Sequence, residues 1–76
     1  MKVVIAKVDQ NLFDGEAASM TLPGTEGEMT VLPEHEPLIT TLKQGAIIVR
    51  TSESEQAFSI EGGVLEVRRE GVTVIL

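Results

Sequence analysis

The sequence predicts an all-β fold, a small antiparallel sandwich or flattened barrel of about eight to ten short strands. Three observations carry that expectation. Apolar, β-branched residues come in short runs rather than long ones. Turn-forming Gly, Pro, Asn and Asp separate the runs at nearly regular spacing. No window holds an apolar helical stripe of useful length that is free of glycine, proline or a β-branched run.

The elements are justified in order. Lys2 to Val8 is β-branched and alternates, with Val3, Ile5 and Lys7 on one face and Lys2, Val4, Ala6 and Val8 on the other. Asp9, Gln10 and Asn11 form a polar turn, Leu12 and Phe13 dip back into the core, and Asp14-Gly15 is a hairpin signal. Glu16 to Leu22 returns as a strand, with Ala18, Met20 and Leu22 on one face and Ala17, Ser19 and Thr21 on the other. Pro23-Gly24 has the chemistry of a type II turn. Met29 to Leu32 is a short strand between the glycines of the Gly24–Gly27 turn and a corner fixed by Pro33 and Pro37. Proline sets its own φ and drives the preceding residue toward extended backbone, so Leu32 and Glu36 are expected to be extended. Strands then follow at Leu38–Lys43, Ala46–Thr51, Gln56–Ile60, Val64–Arg68 and Val72–Leu76. The breaks between them fall at Gln44-Gly45, Ser52–Glu55, Gly62-Gly63 and Arg69–Gly71.

Seventy-six residues make one domain, 1–76, around one modest core. There is no cysteine to staple it, to bind metal as thiolate or to act as a nucleophile. Four apolar residues between Lys2 and Lys7 fall far short of a signal peptide core or of the ~20 residues of a membrane span. A soluble protein in a reducing, cytoplasmic setting is expected, with no direct membrane insertion. Twelve acids against six bases give a formal charge of −6, which repels nucleic acid and anionic lipid. Two phenylalanines and no Trp or Tyr leave little for base stacking or sugar binding.

The stretch Gly24–Leu38 concentrates what chemistry there is: two of the three prolines, the only histidine and four acids. His35 between Glu34 and Glu36 invites a metal reading. Adjacent side chains on extended or turning backbone diverge, however, and a lone histidine without cysteine lacks the usual ligand set, so no metal is assigned. Glu26 and Glu28 lack the apolar surroundings that tune a general acid, and they read as an exposed acidic loop suited to docking. Gly24–Gly27 has no following Lys-Ser/Thr and carries acid where a phosphate would sit. Ser19, Ser52, Ser54 and Ser59 have no second histidine or buried acid to form a triad. Catalytic residues and cofactors are therefore expected to be absent, and a binding or structural domain remains.

Four pieces, Leu12–Gly15, Pro23–Met29, Leu32–Leu38 and Ile60–Val67, stand in an order and spacing that resembles the epsilon subunit of the rotary F-type ATP synthase. The resemblance covers the chain from end to end. It implies an N-terminal β-sandwich, a non-catalytic rotor part that clasps the gamma stalk and rests on the polar loops of the membrane ring, on the cytoplasmic side of the energy-coupling membrane or the equivalent organelle compartment. It further implies a ring-facing set, Glu26, Glu28 and Met29, and a gamma-facing set, Lys7, His35 and Thr40. This sequence departs from the family pattern with Thr30, Glu34 and Glu36. Typical members continue into a C-terminal pair of helices; this chain stops at Leu76, so no helical hairpin, ATP binding or helix-mediated inhibition is expected of it. The alternative reading is a free-standing β-sandwich adaptor for another protein, and a small β-barrel enzyme or ligand-binding domain would need a deep pocket with converging polar groups.

Overall fold

The computed structural model describes residues 1–76 and contains only strands and the turns between them. The nine strands are β1 (Lys2–Lys7), β2 (Gln10–Glu16), β3 (Ser19–Gly24), β4 (Gly27–Val31), β5 (Leu38–Leu42), β6 (Gly45–Arg50), β7 (Glu55–Ile60), β8 (Gly63–Arg68) and β9 (Gly71–Ile75). They form one hydrogen-bonded path, β2-β1-β9-β8-β5-β3-β6-β7, with β4 on the far edge of β3. β3 is the fold's pivot. Along one edge Ser19 to Thr21 pair with β6, while Gly24 at its end pairs with Leu42 of β5. At that single junction the sheet doubles over, so that β2-β1-β9-β8-β5 and β4-β3-β6-β7 become two facing layers.

Alternation decides which face each strand buries. Val3 and Ile5 of β1, Met20 and Leu22 of β3, Val31 of β4, Ile47 and Val49 of β6, Leu65 of β8 and Val74 of β9 are all completely buried. They join Ala17, Leu42, Ile60, Val67 and Val72 in one cluster of 14 residues. No polar or charged residue is buried with them. The junction side of the sandwich is closed by backbone, where Lys43 N donates to Pro23 O at 2.9 Å and Thr25 N to Thr41 O at 3.2 Å. The opposite side, where edge strands β2 and β7 face each other, is closed by side chains: Phe13 and Phe58 meet edge to face, 6.2 Å apart.

Four local expectations change. The first reversal is at Val8-Asp9, between paired Lys7 and Gln10, and Asp14-Gly15 lies inside β2, paired with Val4 and Val3. Asp-Gly permits a turn but does not compel one, and here the ladder to β1 claims both residues. Pro23-Gly24 likewise finishes β3, and the turn falls two residues later at Thr25-Glu26. Ala17 is buried although alternation placed it outward, because it sits in the crossing from β2 to β3, where its N donates to Met1 O at 2.9 Å. The sandwich is also not wholly antiparallel: β1 and β9 pair parallel, Lys2 against Gly71 through Ala6 against Ile75. That ladder joins the first and last strands, so no hairpin pattern could announce it.

Leu22 is fully buried and Ile39 is 70% exposed, although both are apolar strand residues. Leu22→Ala should cost about 2–5 kcal/mol in urea unfolding, whereas Ile39→Ala should stay within about 0.5 kcal/mol of the parent.

Candidate functional site

The register sorts the loops onto two ends of the sandwich. One end carries the turns Val8-Asp9, Thr25-Glu26, Lys43-Gln44 and Glu61-Gly62, and the other carries the Ala17-Ala18 crossing, the Leu32–Pro37 corner, Thr51–Ser54 and Arg69-Glu70.

At the first end the β3–β4 hairpin presents the acidic tip. Gly24 pairs with Gly27, and a Cβ on Gly24 would lie 2.7 Å from the Gly27 carbonyl oxygen. Gly27 is held at φ 135°, where a side chain would strain the backbone. Thr25 Oγ1 meets Thr41 Oγ1 at 3.1 Å and ties the tip to β5. Alternation then separates the three residues of the ring-facing set. Glu26 and Glu28 are exposed, while Met29 turns inward, half-buried against the core with its sulfur over Gly24. The acids form the surface and the methionine supports it from below.

At the second end the proline corner is a type II turn built on an unusual residue. His35 N donates to Leu32 O at 3.2 Å, Pro33 takes the second position, and Glu34 takes the third at φ 68°. Glycine is the favoured occupant there, and a left-handed non-glycine residue costs on the order of 1–2 kcal/mol. His35 Nδ1 lies 2.8 Å from Glu36 O. A carbonyl can only accept, so Nδ1 is the donor. Glu34, His35, Glu36, Pro37 and Arg69 line a concavity of about 440 Å³.

The gamma-facing set is not brought together as one cluster. Lys7 is exposed at the same end as the acidic tip, His35 stands at the opposite end, and Thr40 lies half-buried in the middle of β5, opposite Leu65. What the residue-by-residue reading missed lies between them. On the outer face of the five-stranded layer, Thr41 pairs with Val64, Val64 with Ile75, and Ile75 with Ala6, and Ile39 is the diagonal neighbour of Val64. Ile39, Ile75 and Val64 are 70%, 56% and 40% exposed. Beside this apolar trio Arg68 donates to Glu66 Oε1 at 2.8 Å and to Thr73 Oγ1 at 3.2 Å. A signal was available in β5, where Leu38, Ile39 and Leu42 put apolar groups on both faces of a strand that has only one face toward the core.

A family model described as the ATP synthase delta/epsilon chain β-sandwich domain matches residues 1–76. The chain belongs to this family. Relatives named ATP synthase epsilon chain include one from Herminiimonas arsenicoxydans, 41% identical over 99% of this chain and 55% of its own, and one from Stenotrophomonas maltophilia, 44% identical over 93% and 51%. The chain thus spans about half the length of the curated relatives it matches. Among solved structures, the fold matches a chain in the Euglena gracilis mitochondrial ATP synthase OSCP/F1/c-ring assembly with a TM-score of 0.89 and 26% identity, over 96% of this chain and 48% of that one. It also matches a chain in the Tetrahymena thermophila mitochondrial ATP synthase central stalk and c-ring, with a TM-score of 0.83 and 12% identity, over 97% and 60%, a likeness of fold alone. The delta/epsilon β-sandwich is therefore both the family of the sequence and the fold of the structure.

Glu34 gives the corner a test with an unusual sign. Xaa→Gly in a folded loop normally destabilises, but Glu34→Gly removes a left-handed penalty larger than the entropy it adds to the unfolded chain, and should raise unfolding free energy by roughly 0.5–1 kcal/mol in denaturant titration.

Proposed function

We propose that this domain is a non-catalytic rotor element of an F-type ATP synthase, joining the gamma stalk to the polar loops of the membrane ring and so supporting the coupling of ion flow to ATP synthesis. The observation that carries this reading is the exposed apolar trio Ile39, Val64 and Ile75 on the outer face of the five-stranded layer, in a chain of net charge −6. Apolar side chains clustered on one outer sheet face mark a surface built to be covered by protein. The sequence resemblance makes gamma the partner to try first. Lys7 and His35 stand at the two ends of this layer, and Thr40, paired with buried Leu65, turns to its inner side, so none of the three lies on the apolar face itself.

The ring contact is assigned to the tip. Glu26 and Glu28 extend from a hairpin pinned by Thr25–Thr41 and backed by Met29, a presentation suited to polar or basic loops. No helix is long and apolar enough to cross a membrane, and in this reading the domain meets the membrane sector through protein alone. The prolines at 33 and 37 hold the His35 corner stiff, and close packing between the layers passes rotation on with little deformation.

Ile39→Asp and Ile75→Asp should each weaken binding to isolated gamma at least tenfold while the melting temperature of the free domain stays near that of the parent, because both side chains are already in water. Binding that survives both changes, or no binding to gamma by the parent domain, would direct the face to a different protein partner. Glu28→Lys should leave gamma binding unchanged and lower proton-driven ATP synthesis in the assembled enzyme. Exchange of Pro33 and Pro37 together for glycine should weaken assembly or coupling, and unchanged synthesis would count against a stiff corner.

A further inference from the structure

Nine strands in a doubled sheet leave open edges, and most of these are guarded. β2 is bulged between Ile5 and Ala6 of its partner and carries Asp14 and Glu16, each engaged in an ion pair, with Lys2 at 3.1 Å and the terminal ammonium at 3.3 Å. β4 is short and carries Glu28 beside the tip acid Glu26. β5 has its free side partly covered by β3 and the tip. These are common ways of blunting an edge against unwanted pairing.

β7 is guarded only at its first residue, where Glu55 pairs with Arg50 at 3.2 Å. The rest of the strand, Gln56-Ala57-Phe58-Ser59-Ile60, contains no charge, proline or glycine, and its register with β6 runs without a shift. Its hydrogen-bond phase follows from two observations. Thr51 N donates to Ser54 O at 2.8 Å, which makes Thr51 and Ser54 a bonded pair, and alternation then makes Val49–Gln56, Ile47–Phe58 and Gly45–Ile60 the bonded pairs of the ladder. Arg50 O accepts from Ala18 N on the other side of β6, as this phase requires. The N–H and C=O groups of Glu55, Ala57 and Ser59 therefore point away from β6 along the open edge. The side chains of Ala57 and Ser59 are small and exposed, so neither obstructs a strand laid beside them.

The charges choose the occupant. Glu53 and Glu55 precede the uncharged run and Glu61 follows it, in a chain of net charge −6, so a second copy is repelled overall while a segment basic at both ends is complemented. We propose that β7 is an acceptor edge that takes an extended segment of a partner protein, with lysine or arginine flanking a short uncharged core, as an additional strand. This site is separate from the face assigned to gamma above, and either assignment can fail without the other.

The test uses the whole chain and a short synthetic peptide with paired lysines at each end of alternating threonine and valine, followed by amide NMR and hydrogen exchange. Saturable shifts confined to β7 and its neighbours, with slowed exchange at Glu55, Ala57 and Ser59, are expected. Ala57→Pro, which removes an outward N–H and no ladder bond, should abolish both effects. Should that variant lose the fold of β7, Ser59→Lys leaves the backbone intact and should weaken binding through like charge. Absence of shifts at millimolar peptide, shifts scattered over the acidic surface without exchange protection, or concentration-dependent protection of β7 in the absence of peptide would each overturn the proposal.

Discussion

Everything in this molecule depends on a dry space between two thin layers. Short strands cannot hold one another by backbone alone, because each ladder offers only a few bonds and the sheet doubles at a single pair, Gly24 with Leu42. The 14 side chains that fill the space come from every strand except β2, together with Ala17 in the crossing from β2 to β3. With no polar group among them, the core specifies position through shape and alternation alone. A one-residue slip in any strand would exchange its buried and exposed sets, and that is why the register is fixed despite the small size.

The strand count, the alternation and the principal buried residues were legible in the sequence because a two-layer sheet imposes period two on every strand. Val3 and Ile5, Met20 and Leu22, and Leu65 and Val67 separate from their neighbours as alternation requires. Turn placement was less legible. Asp14-Gly15 and Pro23-Gly24 have strong turn chemistry, yet ladder pairing took them into strands, and the left-handed third position of a type II turn fell instead to Glu34, a residue that gives no local sign of it. The parallel pairing of β1 with β9 joins the two ends of the chain, beyond the reach of any local pattern.

The candidate site was legible in parts. Glu26 and Glu28 read as an exposed acidic loop, and both are exposed, but only Glu26 lies in the turn while Glu28 belongs to β4. Met29 was grouped with the acids by proximity in sequence, whereas alternation turns it under them. The apolar trio of Ile39, Val64 and Ile75 needed the register of β5, β8 and β9, since no two of these residues share a strand.

The way the layers are joined gives the domain a mechanical anisotropy. The chain crosses between layers at Ala17-Ala18 and Leu32–Pro37 on one end and at Lys43-Gln44 and Glu61-Gly62 on the other, so covalent ties bind the layers at both extremities. Twisting one end against the other must strain peptide geometry. Prising the layers apart along the flank of β2 and β7 has only the contact of Phe13 with Phe58 and its apolar neighbours to overcome. The body is thus a stiff torsion member with one compliant flank, and under sideways load that flank is where it would yield first.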